Sequence, residues 1–398
     1  MEYKLRHYQK EAVTKAVEFF LAERSKTRPI LVMPTGSGKS LVIADITRQL
    51  QDEVLILQPS LELLEQNYKK YQAVCEEYPE LVKASIYSAS VGIKEKGQLT
   101  FATIGSIYKN PELFASTQYV IVDECQNVPP KDDSMYVEFL SRLTAKVLGL
   151  TATPIRLKTY NDPFTYKKFS KVNLLIRERP QFFNKFAHVT QVSQMYEEGF
   201  LAPINYVEMQ FDGSFLKVNS TGAEYSDSSL KEAIERNEII KKIPLILKQA
   251  YEKGQRSCLV FVRSVEEARE LAETTPFSAY IHAMTPKPER ANIIKGFKSG
   301  SIKTLFNVAV LTTGFDYPAL DTIILARPTM SLTLYTQIVG RGMRIAPGKT
   351  KCTFIDMCDN IKRFGKVEEQ RYEEDPKLGW VLRNNEKVLS GRRLDELI

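Results

Sequence analysis

Cysteine is scarce and scattered. Its five residues (Cys75, Cys125, Cys258, Cys352, Cys358) lie far apart and form no C-x-x-C pair, which argues against a disulfide framework or a cysteine-built zinc site and fits a reducing compartment. Histidine is rarer, at three, so metal chemistry would have to rest on carboxylates and hydroxyls. No apolar run approaches the roughly 20 residues of a membrane span. The opening "MEYKLRHYQK" carries no apolar core of a secretory leader. The expectation is a soluble, unexported, cytoplasmic chain with no membrane partner.

What is present is a globular composition, 43% hydrophobic and 26% charged, over 398 residues. That length suits two domains, each with its own core. The net charge of +7 suits a polyanionic partner without specifying one. Short β-branched runs recur: "ILVM" (30–33), "VLIL" (54–57), "ASIY" (84–87), "TFAT" (100–103), "YVIV" (119–122) and "VLGL" (147–150), then "CLVFV" (258–262), "SAYI" (278–281), "KTLFN" (303–307), "TIILA" (322–326) and "CTFI" (352–355). Helical spacing fills the gaps, as in "SLVIADITRQL" and "SVEEARELAE". Strand alternating with helix predicts an α/β fold of two parallel-sheet domains in tandem. The boundaries expected are a first domain over 1–205, a linker over 206–240, a second domain over 241–365 and a charged tail over 366–398.

"LVMPTGSGKS" (31–40) reads as a phosphate cradle without its first glycine, because Met33 stands there. The strand "ILVM" stops, Thr35, Gly36, Ser37 and Gly38 make the turn, and a helix begins at Lys39. Backbone N–H groups and the helix N-terminus can then hold phosphates. Lys39 would reach the β- and γ-phosphates and Ser40 would offer its hydroxyl to Mg²⁺. An ordinary glycine turn is the competing reading of this segment alone. "YVIVDEC" adds weight, since a buried strand beside the first, ending in Asp123 and Glu124, could hold Mg²⁺ with one acid and orient the attacking water with the other. Together the segments predict an ATP or GTP site.

In the second half, "QIVGRGMR" (337–344) sets Arg341 and Arg344 on one face if helical, with Gln337 a turn earlier. Arginines can stabilise the charge of phosphoryl transfer. The preceding "FNVAVLTTGFDYP" ends a strand in Thr312, Thr313, Gly314 and Asp316, a polar turn fit to sense nucleotide or bind a passing backbone.

The order of these segments resembles the superfamily 2 helicases, whose two RecA-like domains close on ATP. "LRHYQ" (5–9) is similar to that family's adenine-recognition motif, which implies Arg6 and Gln9 at the base. "MPTGSGKS" resembles motif I, "LILQPSLELLEQ" motif Ia, "DECQ" motif II and "TATP" (151–154) motif III; "LVFVRS", "NVAVLTTGFDYP" and "QIVGRGMR" resemble motifs IV, V and VI. "LTTGFDYP" and "QIVGRGMRIAPGK" are most similar to bacterial RadD-type DNA repair helicases. Those continue into a cysteine-rich C-terminal region, and the expectation here is a compact phage or mobile-element relative without one.

The resemblance implies an ATP- and Mg²⁺-dependent helicase or translocase on branched or single-strand-containing DNA. An RNA helicase and a non-motor ATP-gated binding protein are the alternatives. It implies backbone grips at Ser60, Thr103, Ser106, Arg263, Ser264, Thr312 and Thr313, and coupling through Gln126, Thr151 and Thr153. Gln126 stands where relatives carry histidine, and glutamine can still donate and accept. By composition, segment 155–186 holds eight Lys or Arg against two acids, interleaved with Tyr160, Phe164, Tyr166, Phe169, Phe182, Phe183 and Phe186. That mixture suits nucleic-acid contact, with Lys167, Lys168 and Lys171 the candidates. A small peripheral subdomain with solvated charges is the competing reading.

Overall fold

The computed structural model describes residues 4–23, 25–50, 52–78, 82–90, 92–129, 133–164, 168–311 and 315–393. Two compact units form, one of Met1–Arg156 with Asn173–Gln191, the other of Leu157–Val172 with Val192–Ile398.

Ten strands run through the first half of the chain: β1 (Pro29–Val32), β2 (Val54–Gln58), β3 (Ala84–Ser88), β4 (Ile93–Lys94), β5 (Leu99–Thr103), β6 (Tyr119–Asp123), β7 (Lys146–Thr151), β8 (Ile155–Asn161), β9 (Lys168–Leu174) and β10 (Lys185–Val189). Unit 1 orders eight of them β10-β1-β7-β6-β2-β5-β3-β4. All neighbours are parallel except β3 and β4. Every residue of β1, β2 and β6 is buried, as central parallel strands covered on both faces require. Helix α1 (His7–Leu21) buries Tyr8, Ala12, Val13, Ala16, Phe19 and Phe20 along one stripe. Helices α2 (Lys39–Gln49) and α3 (Leu61–Glu77) pack against each other. Because the strands are parallel, the ends of β1, β2, β5, β6 and β7 gather on one edge, and each leads into a motif segment.

Unit 2 holds β11 (Ile204–Glu208), β12 (Cys258–Phe261), β13 (Ser278–Ile281), β14 (Thr304–Asn307), β15 (Thr322–Leu325) and β16 (Cys352–Asp356). They form a wholly parallel sheet ordered β11-β16-β15-β12-β14-β13. Ile243, Leu247, Val260, Phe306 and Ile324 build its core. The chain closes with β17 (Gln370–Asp375), β18 (Gly379–Asn384) and β19 (Lys387–Val388), an antiparallel sheet.

The α/β class and every expected strand appear. Four details differ from the sequence reading. β6 is not beside β1, because β7 pairs with both. Residues 206–240 are no plain linker, since β11 enters there and helix Asp227–Arg236 buries Leu230, Ala233 and Ile234. Within the charged tail, residues 370–388 form a sheet, whose alternation of Gln370, Tyr372 and Val381 against exposed acids was obscured by high charge. Segment 155–186 is divided: β8 pairs with β9, residues 157–172 belong to unit 2, and residues 173–186 belong to unit 1. No helix among the described residues is long and apolar enough to cross a membrane.

Candidate functional site

The phosphate loop follows β1 without needing glycine at position 33. Met33 is fully buried and continues the ladder, its N–H donating to Thr151 O at 2.8 Å. Left-handed backbone begins only at Gly36 and Gly38, with φ of 84° and 80°. At Gly38 a Cβ would also lie 2.5 Å from Gln9 Nε2. Gln9 is why the space is closed: its amide donates to Ser37 O at 2.7 Å, and the Tyr8 hydroxyl donates to the same carbonyl at 3.2 Å. Arg6, whose N–H donates to Gln9 Oε1 at 2.9 Å, starts α1 beside them. Thr35 and Gly36 stay partly or fully open to solvent, while the Ser37 hydroxyl is buried and has no hydrogen-bond partner among the described residues.

Lys39 and Ser40 open α2, Lys39 reaching Glu124 just past β6 and Ser40 reaching Asn67 on α3. The Lys39 ammonium lies 3.2 Å from Glu124 Oε1, with side-chain exposures of 17% and 14%. Glu124 itself sits in left-handed backbone, φ 47°, a conformation uncommon outside glycine and often held at functional turns. Ser40 Oγ donates to Asn67 Oδ1 at 2.8 Å, and Asn67 Nδ2 donates to Asp123 Oδ2 at 2.9 Å. The other Asp123 oxygen accepts from Glu124 N at 2.9 Å. Burial, then the neighbouring Glu124 carboxylate, pushes the Asp123 carboxyl up to about 6, with Lys39 opposing. The donor set of a serine hydroxyl and a buried carboxylate is hard oxygen, the kind Mg²⁺ takes. Ser40 and Asp123 therefore fit that ion. No group of three or more His, Cys, Asp or Glu suited to a metal occurs among the described residues.

Gln126 uses both ends of its amide. Nε2 donates to Glu124 Oε2 at 2.7 Å, and Oε1 accepts from the Thr151 hydroxyl. Thr151 Oγ1 in turn accepts from Thr153 N at 3.0 Å. A continuous chain thus runs Lys39, Glu124, Gln126, Thr151, Thr153. Two participants escaped the sequence reading. Arg156 donates to the Gln126 and Val128 carbonyls and pairs with Glu178 at 2.6 Å. Asn67 is the other, and its only sequence signal is a polar residue on the helix face that buries Leu64 and Tyr71.

In unit 2, helix Leu332–Gly342 carries half-buried Gln337 and buried Arg341. Arg344 lies beyond the C-cap Met343, so the two arginines do not share a helix face. They meet on one carbonyl instead: both donate to Phe315 O, and Arg344 also pairs with Asp316 at 2.5 Å. Burial lowers the Arg344 pKa from its usual value, against the pull of Asp316. Thr312, Thr313, Gly314 and Lys167 lie outside the described residues.

The remaining candidate grips are occupied locally. Ser60 caps α3 by accepting from Leu63 N, and Ser264 caps helix Val265–Thr274. Arg263 pairs with Glu267 at 2.9 Å. Thr103 and Ser106 share a hydrogen bond of 2.8 Å, and Ser106 also accepts from Ala89 N. Lys168 is exposed, whereas Lys171 lies 5.6 Å from the Phe169 ring.

Two family models match this chain: "Type III restriction enzyme, res subunit" over residues 2–156 and "Helicase conserved C-terminal domain" over 235–346. The chain is 30% identical over 374 residues to a "51.5 kDa protein" of Lactococcus phage (isolate 7-9), covering 90% of this chain and 72% of that one. It is 25% identical over 376 residues to "Putative ATP-dependent helicase IRC3" of Saccharomyces cerevisiae, covering 88% of this chain but 51% of the yeast protein. Among solved structures, the ATP-dependent Type ISP restriction-modification enzyme LlaBIII bound to DNA shares the fold with a TM-score of 0.63 at 15% identity, over 90% of this chain and 28% of that one.

Proposed function

Because this chain belongs to the superfamily 2 helicases, we propose that it is an ATP-driven motor that moves on or remodels branched or single-strand-containing DNA, close to the RadD-type repair helicases. The observation that carries this reading is the Lys39–Glu124 pair at 3.2 Å, with Ser40 and Asp123 joined beside it.

Lys39 pairs with Glu124 at 3.2 Å. A γ-phosphate competes for the Lys39 ammonium, and the Glu124 carboxylate accepts a proton from the attacking water. Gln126 keeps the carboxylate aimed while this happens and hands any shift of Glu124 to Thr151 and Thr153. Mg²⁺, held by Ser40 and Asp123, would neutralise charge on the phosphate oxygens. Arg341 and Arg344 serve the charge of phosphoryl transfer, with Gln337 beside them. The charge of +7 and the basic β8–β9 pair favour phosphate contacts of weak sequence preference.

The test is ATP turnover with single-stranded DNA, duplex, forked DNA and RNA at matched salt. Single-stranded or forked DNA should stimulate most, and Glu124→Gln should keep nucleotide binding while losing roughly 10²- to 10⁴-fold in turnover. Greater stimulation by RNA overturns the DNA assignment; turnover insensitive to both polymer and Glu124→Gln overturns the motor itself.

A further inference from the structure

The loop and the acid strand account for Lys39, Ser40, Asp123 and Glu124, but not for what stands between Ser40 and Asp123. That position belongs to Asn67, from a third element. Its helix α3 is fixed independently of the site: Leu64 and Tyr71 are buried, the Tyr71 hydroxyl donates to Val82 O at 2.7 Å, and Tyr68 donates to Ala84 O at 3.2 Å. The amide therefore approaches both groups from a rigid base.

Its orientation is forced by chemistry. An ionised carboxylate only accepts hydrogen bonds, so the amide nitrogen must face Asp123 and the carbonyl oxygen must face Ser40. The 2.8 and 2.9 Å contacts have that polarity. The serine hydroxyl has one proton, and giving it to Asn67 leaves its lone pairs for a cation. Asp123 has each oxygen oriented by a neutral donor, Asn67 Nδ2 on one and Glu124 N on the other. Without an acceptor at position 67, the Ser40 proton could turn to Asp123 and engage both ligand oxygens with each other. A carboxylate there would crowd a third negative charge beside Asp123 and Glu124. A neutral group with one donor and one acceptor meets all these conditions.

We infer that Asn67 is a positioning residue for the cation half of the nucleotide site, setting the Ser40 hydroxyl and the Asp123 carboxylate for a divalent ion that arrives with nucleotide. The inference rests on the nucleotide reading above and adds to it a residue that reaches the cation only through its two ligands. Partners of this kind typically change metal affinity 10- to 100-fold when removed.

The experiment measures equilibrium binding of a fluorescent ADP to the full chain, across a titration of free Mg²⁺ and separately in EDTA. Wild type is compared with Asn67→Ala and with Asn67→Leu, which keeps the branched shape but removes both hydrogen bonds, and all three are melted thermally. Both variants should need about ten times more Mg²⁺ for half-maximal enhancement, while affinity in EDTA stays within about twofold. An unchanged Mg²⁺ midpoint in folded variants overturns the inference and leaves Asn67 a strut of α3. Equal loss with and without Mg²⁺ overturns it too. Wild type that binds ADP with no Mg²⁺ dependence overturns the inference, whereas wild type that binds no ADP fails the nucleotide reading itself and is distinguished by that control.

Discussion

Gln126 shows how far single residues could be read from sequence. Its ability to donate and accept was legible from its chemistry, and both capacities are in use, towards Glu124 and Thr151. Lys39, Ser40, Asp123 and Glu124 were equally legible, because each follows a β-branched run at a fixed offset. Asn67 was not, since only the packing of α3 against α2 brings it to Asp123. Asp123 also carries a pH signature. Its carboxyl sits at about 6 in the fold against an ordinary value of 3.8. The fold therefore holds that proton more tightly than the unfolded chain. The stability it contributes is complete below pH 3.8 and fades as pH rises towards 6. Asp123→Asn should lack that decline, so unfolding free energies from urea titrations should fall for the wild type relative to the variant as pH rises between these values. Parallel pH profiles would show that Asp123 titrates normally.

At the scale of elements, parallel strands were readable because continuous apolar runs have few other uses. The β8–β9 pair was not, because its residues are spent on one another. Tyr160 and Phe169 stack at 5.8 Å, Lys171 approaches both rings, and Arg393 lies 4.2 Å over Phe169 while pairing with Asp162. Gly391 N donates to Val172 O, and Lys171 bridges to Arg393, so the last described residues extend the pair. Those ring faces already carry cations, while Lys168 and the 90% exposed Phe164 are among the described residues that face outward. Replacing Lys167, Lys168 and Lys171 with alanine should weaken nucleic-acid binding and flatten its salt dependence by about one logarithmic unit per lost phosphate contact. Basal ATP turnover should stay the same. Affinity that holds at low and moderate salt would falsify a role for this segment in binding.

For the whole molecule, the division into units follows contacts that no local pattern announces. The chain leaves unit 1 at Arg156, returns at Asn173 and leaves again at Gln191, whereas composition suggested a single boundary across 205–240. The division makes the final test sharp. Every residue around the phosphate loop, from Gln9 to Asn67 and Gln126, belongs to unit 1, while Arg341 and Arg344 belong to unit 2. If the arginines act only on the charge that develops in phosphoryl transfer, removing one should leave nucleotide affinity almost intact and lower turnover, by about 10³-fold or more for an arginine of that kind. Arg341 is 4% exposed and donates to the Phe315 carbonyl, so its truncation also disturbs unit 2. Arg341→Lys, which keeps the charge but not the planar fork, separates the two effects. A melting curve near wild type with turnover still lost assigns the guanidinium to hydrolysis. Near-normal turnover in a folded Arg341→Lys protein would confine Arg341 to holding the Phe315 turn.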